Sequence, residues 1–118
     1  MKSRDPEKKA ENAFVKKVRE HGALRRKMNG LGNRAWPDDL IIALNGAHCW
    51  LEFKRVGEDL TPLQAEIHRD FAKRGIKVHI VRTVDEGLRA YAEEKSKWQD
   101  YRDWLARSSN SARTRKKP

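Results

Sequence analysis

Apolar and polar positions alternate along this chain with two different periods. Phe14, Val15 and Val18 make a narrow apolar stripe in an otherwise charged stretch, and Glu11 sits one turn earlier on it. With Asp5 as N-cap, Pro6 at the first helical position and Gly22 just past the end, this stretch predicts a helix from residue 6 to about 20. Residues 23–28 read as a short basic edge strand before the loop Asn29–Asn33. The run Leu40–Leu44 is apolar on both parities, as an interior strand covered on two faces should be. Asn45-Gly46 follows, and then residues 47–54 alternate. Cys49, Leu51 and Phe53 point one way; His48, Trp50, Glu52 and Lys54 point the other. Two β-prone runs flanking Asn-Gly predict a hairpin with a two-residue turn, in which positions summing to 91 lie opposite.

Thr61-Pro62-Leu63-Gln64 carries a capping-box pattern with Pro at the first helical position, opening a helix along Leu63, Ile67 and Phe71 to Gly75. Residues 77–82 read as a strand. Thr83–Glu86 is a second capping box, starting a helix through Leu88 and Tyr91. Trp98, Tyr101, Trp104 and Leu105 fall at helical spacings beyond it, as a continued helix would place them, and form either a partner surface or a patch that packs back on its own domain. The order α-β-β-β-α-β-α gives an α/β fold, with a mixed sheet flanked by helices on both faces. One domain over 1–106 is expected, with its core at about 7–92 and a basic, disordered tail over 107–118.

Charge adds a partner to this picture. The 118 residues carry a net charge of +10. Residues 1–27 hold ten basic and four acidic side chains, and residues 95–118 hold eight and two, so the middle is left at −2. Basic ends suit a polyanion, most simply nucleic acid, because Lys and Arg bind phosphates with release of counterions. No segment approaches the roughly 20 apolar residues of a membrane span. The charged N-terminus lacks the apolar core of a signal peptide, and a single Cys49 excludes an internal disulfide. A reduced, cytoplasmic protein is expected.

The acidic middle is where chemistry is concentrated. Asp38 and Asp39 open the interior strand, Glu52 lies near the end of its hairpin partner, and Lys54 projects to the face of Glu52. Two-residue pairing would set Asp39 opposite Glu52, and a one-residue slip would change which aspartate approaches it. Carboxylates and a lysine at a sheet end suit a hard divalent ion acting on a phosphodiester. Glu-x-Lys also occurs at Glu7/Lys9 and Glu93/Lys95, so only its place at the end of an apolar strand gives this copy weight. The bland alternative is a cross-strand ion pair.

Together, Pro37-Asp38, Glu52-Phe53-Lys54-Arg55, Leu60-Thr61-Pro62-Leu63-Gln64 and Gly75 before a Val/Ile-rich strand resemble the virus-type replication-repair nuclease (VRR-NUC) domain of the PD-(D/E)xK nucleases. The resemblance covers about residues 7–92. It implies a restriction-endonuclease-like α-β-β-β-α-β core and Mg²⁺- or Mn²⁺-dependent hydrolysis of DNA. On it, Asp38, Glu52 and the Phe53 carbonyl are metal ligands, and Lys54 contacts the attacking water or the phosphate. A first-helix glutamate, best matched by Glu11 and less well by Glu7 or Glu20, reaches the metal through water. Gln64 is placed at the active site, whereas as a capping residue it would only bind its own helix. Asp39 is either a second ligand or an ion-pair partner. Trp36 reads as core filling, and Trp50 as either core or a platform for an unpaired base. Stand-alone members of the family resemble dimeric, Holliday-junction-resolving endonucleases of phages and bacteria. That suggests a homodimer in DNA repair, recombination or phage replication. The rival readings are a nuclease acting on flaps or linear duplex, and a non-catalytic nucleic-acid-binding module.

Overall fold

A computed structural model describes residues 5–116, with side chains to residue 110. Helix α1 spans Pro6–Glu20, strand β1 Leu24–Lys27, β2 Asp39–Ile42, β3 His48–Phe53, helix α2 Pro62–Lys73, β4 Val78–Val81 and helix α3 Val84–Lys116. The strands form one sheet in the order β1-β2-β3-β4. β1, β2 and β3 are an antiparallel meander, and β4 joins β3 in parallel after the α2 crossover. This is the mixed α/β sheet the sequence pattern predicts, and β2 is interior as its two-sided apolarity requires.

The hairpin differs from expectation by one residue. Asp39 pairs with Leu51 and Ile42 with His48, so opposed positions sum to 90 rather than 91. The loop is Leu44-Asn45-Gly46, closed by Ala43 N–H donating to the Ala47 carbonyl and Gly46 N–H donating to the Ala43 carbonyl. Gly46 stands at φ 93°, a left-handed conformation that L side chains avoid, and it absorbs the extra residue as three-residue hairpin loops do. Contacts from α3 hold the loop in place. Trp98 Nε1 and one Arg102 nitrogen donate to the Asn45 carbonyl, and Asn45 Nδ2 donates to the Lys95 carbonyl.

Each face of the sheet is covered differently. On one, α1 and α3 enclose Phe14, Val18, Ile41, Cys49, Leu51, Phe53, Val81 and Tyr91, each side chain contributing about 1.5–3 kcal/mol when fully buried. Phe14 lies at the centre, its ring 5.6 Å from Phe53 and 6.5 Å from Tyr91. Gly87 lets α3 cross that ring: a Cβ there would stand 2.8 Å from a Phe14 ring carbon. On the other face, Phe71 of α2 packs edge to face on Trp36 and Trp50 at 5.2 and 4.9 Å, and the two tryptophan rings lie tilted 6.1 Å apart. Trp36 and Trp50 are half-buried in this cluster rather than sealed in the main core.

Helix ends follow the sequence with two substitutions of partner. Asp5 is the N-cap of α1 by position but makes no side-chain cap, because its carboxylate pairs with Arg55 instead. Thr83 Oγ accepts from Glu86 N–H, while the Glu86 carboxylate accepts from Arg82 N–H rather than from the N-cap. α3 runs on across the segment from Arg107 that was expected to be a disordered tail; residues 117 and 118 lie outside the described residues. No Gly or Pro interrupts 88–116, and propagating an existing helix is cheap. Among the described residues no helix is long and apolar enough to cross a membrane.

Candidate functional site

Register decides which carboxylates meet. Extending the β2–β3 pairing by one residue sets Asp38, not Asp39, opposite Glu52, at the end of the sheet beside the start of α2. The Met28 N–H donates to the Asp38 carbonyl at 2.8 Å, fixing the backbone there. The Asp38 side chain is held from two sides. Its Oδ2 accepts from Phe53 N–H at 2.6 Å and its Oδ1 from Asn29 Nδ2 at 2.5 Å. Burial, and next the Glu52 charge, push its pKa up to about 6, against the lowering effect of the Phe53 N–H.

Glu52 is 2% exposed. Its Oε2 accepts a long hydrogen bond of 3.4 Å from Gln64 Nε2, and its Oε1 is sealed from solvent with no hydrogen-bond partner. Gln64 plays both parts that the sequence allowed. Its Oε1 accepts from Thr61 N–H at 2.9 Å and its own N–H donates to Thr61 Oγ at 3.1 Å, completing the capping box. With the amide oxygen used by the cap, the NH₂ group is the end left to face Glu52. One turn further along α2, His68 Nε2 lies 3.6 Å from Glu52 Oε1, also sealed and unpartnered. Sequence reasoning missed His68, although its i+4 spacing from Gln64 puts it on the same helix face.

Lys54 is 5% exposed although it carries an ammonium. Its backbone N–H donates to the Val81 carbonyl, extending the β3–β4 ladder, and its Nζ stands 3.6 Å from Glu58. The loop that follows is pinned by Arg82, which donates to the carbonyls of Arg55 and Glu58.

Across the sheet, on the α1 face, lies a second charged group. Arg25 Nε donates to Asp39 Oδ1 at 2.6 Å, its NH2 to Glu11 Oε2 at 3.2 Å, and Lys27 Nζ to the same Glu11 oxygen at 2.6 Å. Asp39 is fully buried and Glu11 is 4% exposed. Burial raises the Asp39 pKa to about 7, and the neighbouring Glu11 carboxylate adds to the rise. Burial also opposes ionisation of Glu11, but hydrogen bonds with Asp39 and Lys27 and the charges of Lys27 and Arg25 take it below its ordinary value. The pair thus divides its charge, with Glu11 ionised and Asp39 protonated first as the pH falls. Asp39 is an ion-pair partner of Arg25, set on the opposite face from Glu52. Glu11 faces inward as its stripe position requires and lies close enough for its charge to raise the Asp38 pKa. Glu7 instead pairs with Arg55, and Glu20 is exposed.

Asp38, Glu52 and Gln64 therefore meet at one end of the sheet, with Glu11 within electrostatic range of Asp38 and Lys54 two residues past Glu52 with its ammonium beside Glu58. Two buried carboxylates of like charge, one with an orphaned oxygen, leave negative charge that a divalent cation would offset. Among the described residues, the group of three His or carboxylate ligand atoms that lie within 4.8 Å of one another is a different one, His79 on β4 with Glu93 and Glu94 on α3. There His79 Nε2 is 2.6 Å from Glu94, and Lys77 and Lys97 bind Glu93, so its charges are already balanced by the protein.

No family model matches this sequence, and no curated protein matches it. Among solved structures the chain is similar to a VRR-NUC domain, with 26% identical residues and a TM-score of 0.63, over 71% of this chain and 91% of that one.

Proposed function

We propose, from the premise that this chain carries a VRR-NUC domain of the nuclease type, that it is a metal-dependent endodeoxyribonuclease acting on branched DNA. The observation that carries the reading is the unpartnered, buried Glu52 oxygen opposite Asp38, with the Lys54 ammonium buried at the same sheet end. Asp38, Glu52 and the Phe53 carbonyl would hold Mg²⁺ or Mn²⁺, with Glu11 assisting through water. A bound ion of this kind polarises the scissile phosphate and makes an associated water more acidic. The protein supplies the rest. Asn29 and the Phe53 N–H fix the Asp38 carboxylate, Gln64 fixes that of Glu52, and Lys54 orients the attacking water or offsets charge gathering on the phosphate oxygens. The basic ends draw the DNA backbone toward an otherwise acidic centre. Such an enzyme would act in repair, recombination or phage replication, in the cytoplasm of a bacterium or infected cell.

Cleavage of labelled flap, fork, nick, linear-duplex and four-way-junction DNA in Mg²⁺ or Mn²⁺ tests this. The four-way junction is expected to be cut fastest, and Lys54→Ala to slow cutting by about 10²–10³-fold while DNA binding persists. Full-rate cleavage by Lys54→Ala removes the site assignment. A wild-type protein that binds DNA and cuts none of the substrates is a binding module instead.

Symmetric cleavage of a junction needs two sites on opposite strands, which a two-fold homodimer supplies. The surface for it is on α3, where Trp98, Tyr101, Trp104 and Leu105 are 38–53% exposed and the first three rings follow one another at 5.6 and 5.9 Å. Wild-type protein is expected to sediment as a dimer, and the double variant Trp104→Ser/Leu105→Ser as a monomer that nicks junctions without resolving them. A monomeric wild type excludes the dimer.

A further inference from the structure

Two buried atoms on the α2 face of the sheet lack partners and face each other: Glu52 Oε1 and His68 Nε2, 3.6 Å apart. The separation is too long for a hydrogen bond, which needs about 2.7–3.2 Å between nitrogen and oxygen. It does fall in the range of two ligands of one ion. With metal–ligand distances of about 2.1 Å, donors at right angles stand about 3.0 Å apart and opposed donors about 4.2 Å apart. The side chains are also held in place. Glu52 is fixed by its strand and by Gln64, and His68 follows Gln64 by one turn on a helix whose start is locked by its capping box. An orphaned imidazole nitrogen aimed at an orphaned carboxylate oxygen, both away from water, costs free energy unless something bridges them.

We infer that His68 Nε2 is a direct ligand of the divalent ion held by Glu52, which rests on the metal-dependent reading above and extends its donor set from oxygen alone to oxygen and nitrogen. The consequence is selectivity. Mg²⁺ prefers all-oxygen surroundings, whereas Mn²⁺ and the later divalent metals accept an imidazole more readily along their series. The site is then tuned toward Mn²⁺ over Mg²⁺, and His68 rather than any carboxylate sets that preference.

The test uses the full chain loaded with Mn²⁺, whose unpaired electrons report a directly bonded nitrogen as ¹⁴N modulation in electron spin-echo spectra. Wild type is expected to show that modulation and His68→Gln to lose it, with Mn²⁺ binding weakened about tenfold or more by calorimetry and Mg²⁺ binding changed far less. His79→Gln, which alters the other buried imidazole, is expected to keep the modulation. His68→Asn serves as second variant if His68→Gln does not fold, as judged by circular dichroism. Mn²⁺ bound without nitrogen modulation, or with modulation that survives both His68 variants, overturns the His68 assignment while leaving the metal site intact. Failure of the wild-type chain to bind Mn²⁺ at all removes the metal reading as well.

Discussion

Asp38→Asn is expected to leave DNA uncut while making the metal-free protein more resistant to heat at pH 8. The two effects have one origin. The Asp38 carboxyl has its pKa pushed from 3.8 to about 6, first by burial and then by the Glu52 charge opposite. A carboxyl harder to ionise in the folded chain than in the unfolded one favours folding while it is protonated. That contribution is complete below about pH 4 and is lost as the pH rises through 6, at which point the folded state carries an ionised carboxylate it disfavours. A shift of that size corresponds to about 2–3 kcal/mol. Asparagine has the same shape, still accepts from the Phe53 N–H, donates to Asn29 once that amide turns its oxygen inward, and never ionises, so it removes the penalty. It also removes the negative charge that a divalent ion needs. Thermal melts in a chelator should therefore show the variant above wild type at pH 8 and level with it near pH 4. Added Mn²⁺ should raise the melting temperature of wild type alone, and junction cleavage should fall at least about a hundredfold. A variant that melts below wild type at pH 8 in chelator contradicts the carboxylate-repulsion account, and one that cuts at full rate contradicts the ligand assignment.

What the sequence made legible, and what it did not, divides at the range of the forces involved. The caps of α2, the interior strand and the placing of Glu52 and Lys54 at the end of one strand come from neighbours within a turn or along a strand, and they could be read locally. The choice between Asp38 and Asp39 could not. It depends on one residue of register, which the loop at Gly46 sets, and that loop is gripped by Trp98, Arg102 and Lys95 from a helix half the chain away. Local pattern favoured the two-residue turn and thereby the wrong aspartate opposite Glu52; the tertiary hydrogen bonds to Asn45 favour the longer loop. His68 was missed for a different reason. A lone histidine on a helix has no pattern of its own, and it gains meaning only when Gln64 is known to face Glu52. The extent of α3 was hidden because the sequence beyond Leu105 is polar and basic, leaving no apolar periodicity to extend.

The same register slip carries a stability prediction, because it sends Asp39 into the α1 face, where Arg25 is its one direct cationic partner among the described residues. Arg25→Ala is expected to destabilise the protein by about 3–5 kcal/mol at pH 8, the usual cost of leaving one half of a buried ion pair behind. Asp39 is fully buried and Glu11 nearly so, and Arg25 bridges them with hydrogen bonds of 2.6 and 3.2 Å. Lys27 remains on Glu11, and alanine itself makes no hydrogen bond, so the uncompensated charge falls on Asp39. Its pKa already stands at about 7 with the guanidinium in place, chiefly through burial and then through Glu11. Removing the guanidinium moves it higher still. Because that folded-state value lies above the unfolded 3.8, the protonated form is the stabilising one; its benefit is complete below about pH 4, is still largely present at pH 5 and is lost as the pH rises through the folded value. Urea unfolding should accordingly show a much smaller loss for Arg25→Ala at pH 5 than at pH 8. Arg25→Ala/Asp39→Asn should recover part of the loss at pH 8, since the amide has no charge to strand. Arg25→Lys should fall between wild type and alanine, keeping a cation but not the fork that reaches both carboxylates. Equal losses at the two pH values would mean that Arg25 acts through its packed aliphatic stem rather than its charge, and the double variant would then regain nothing.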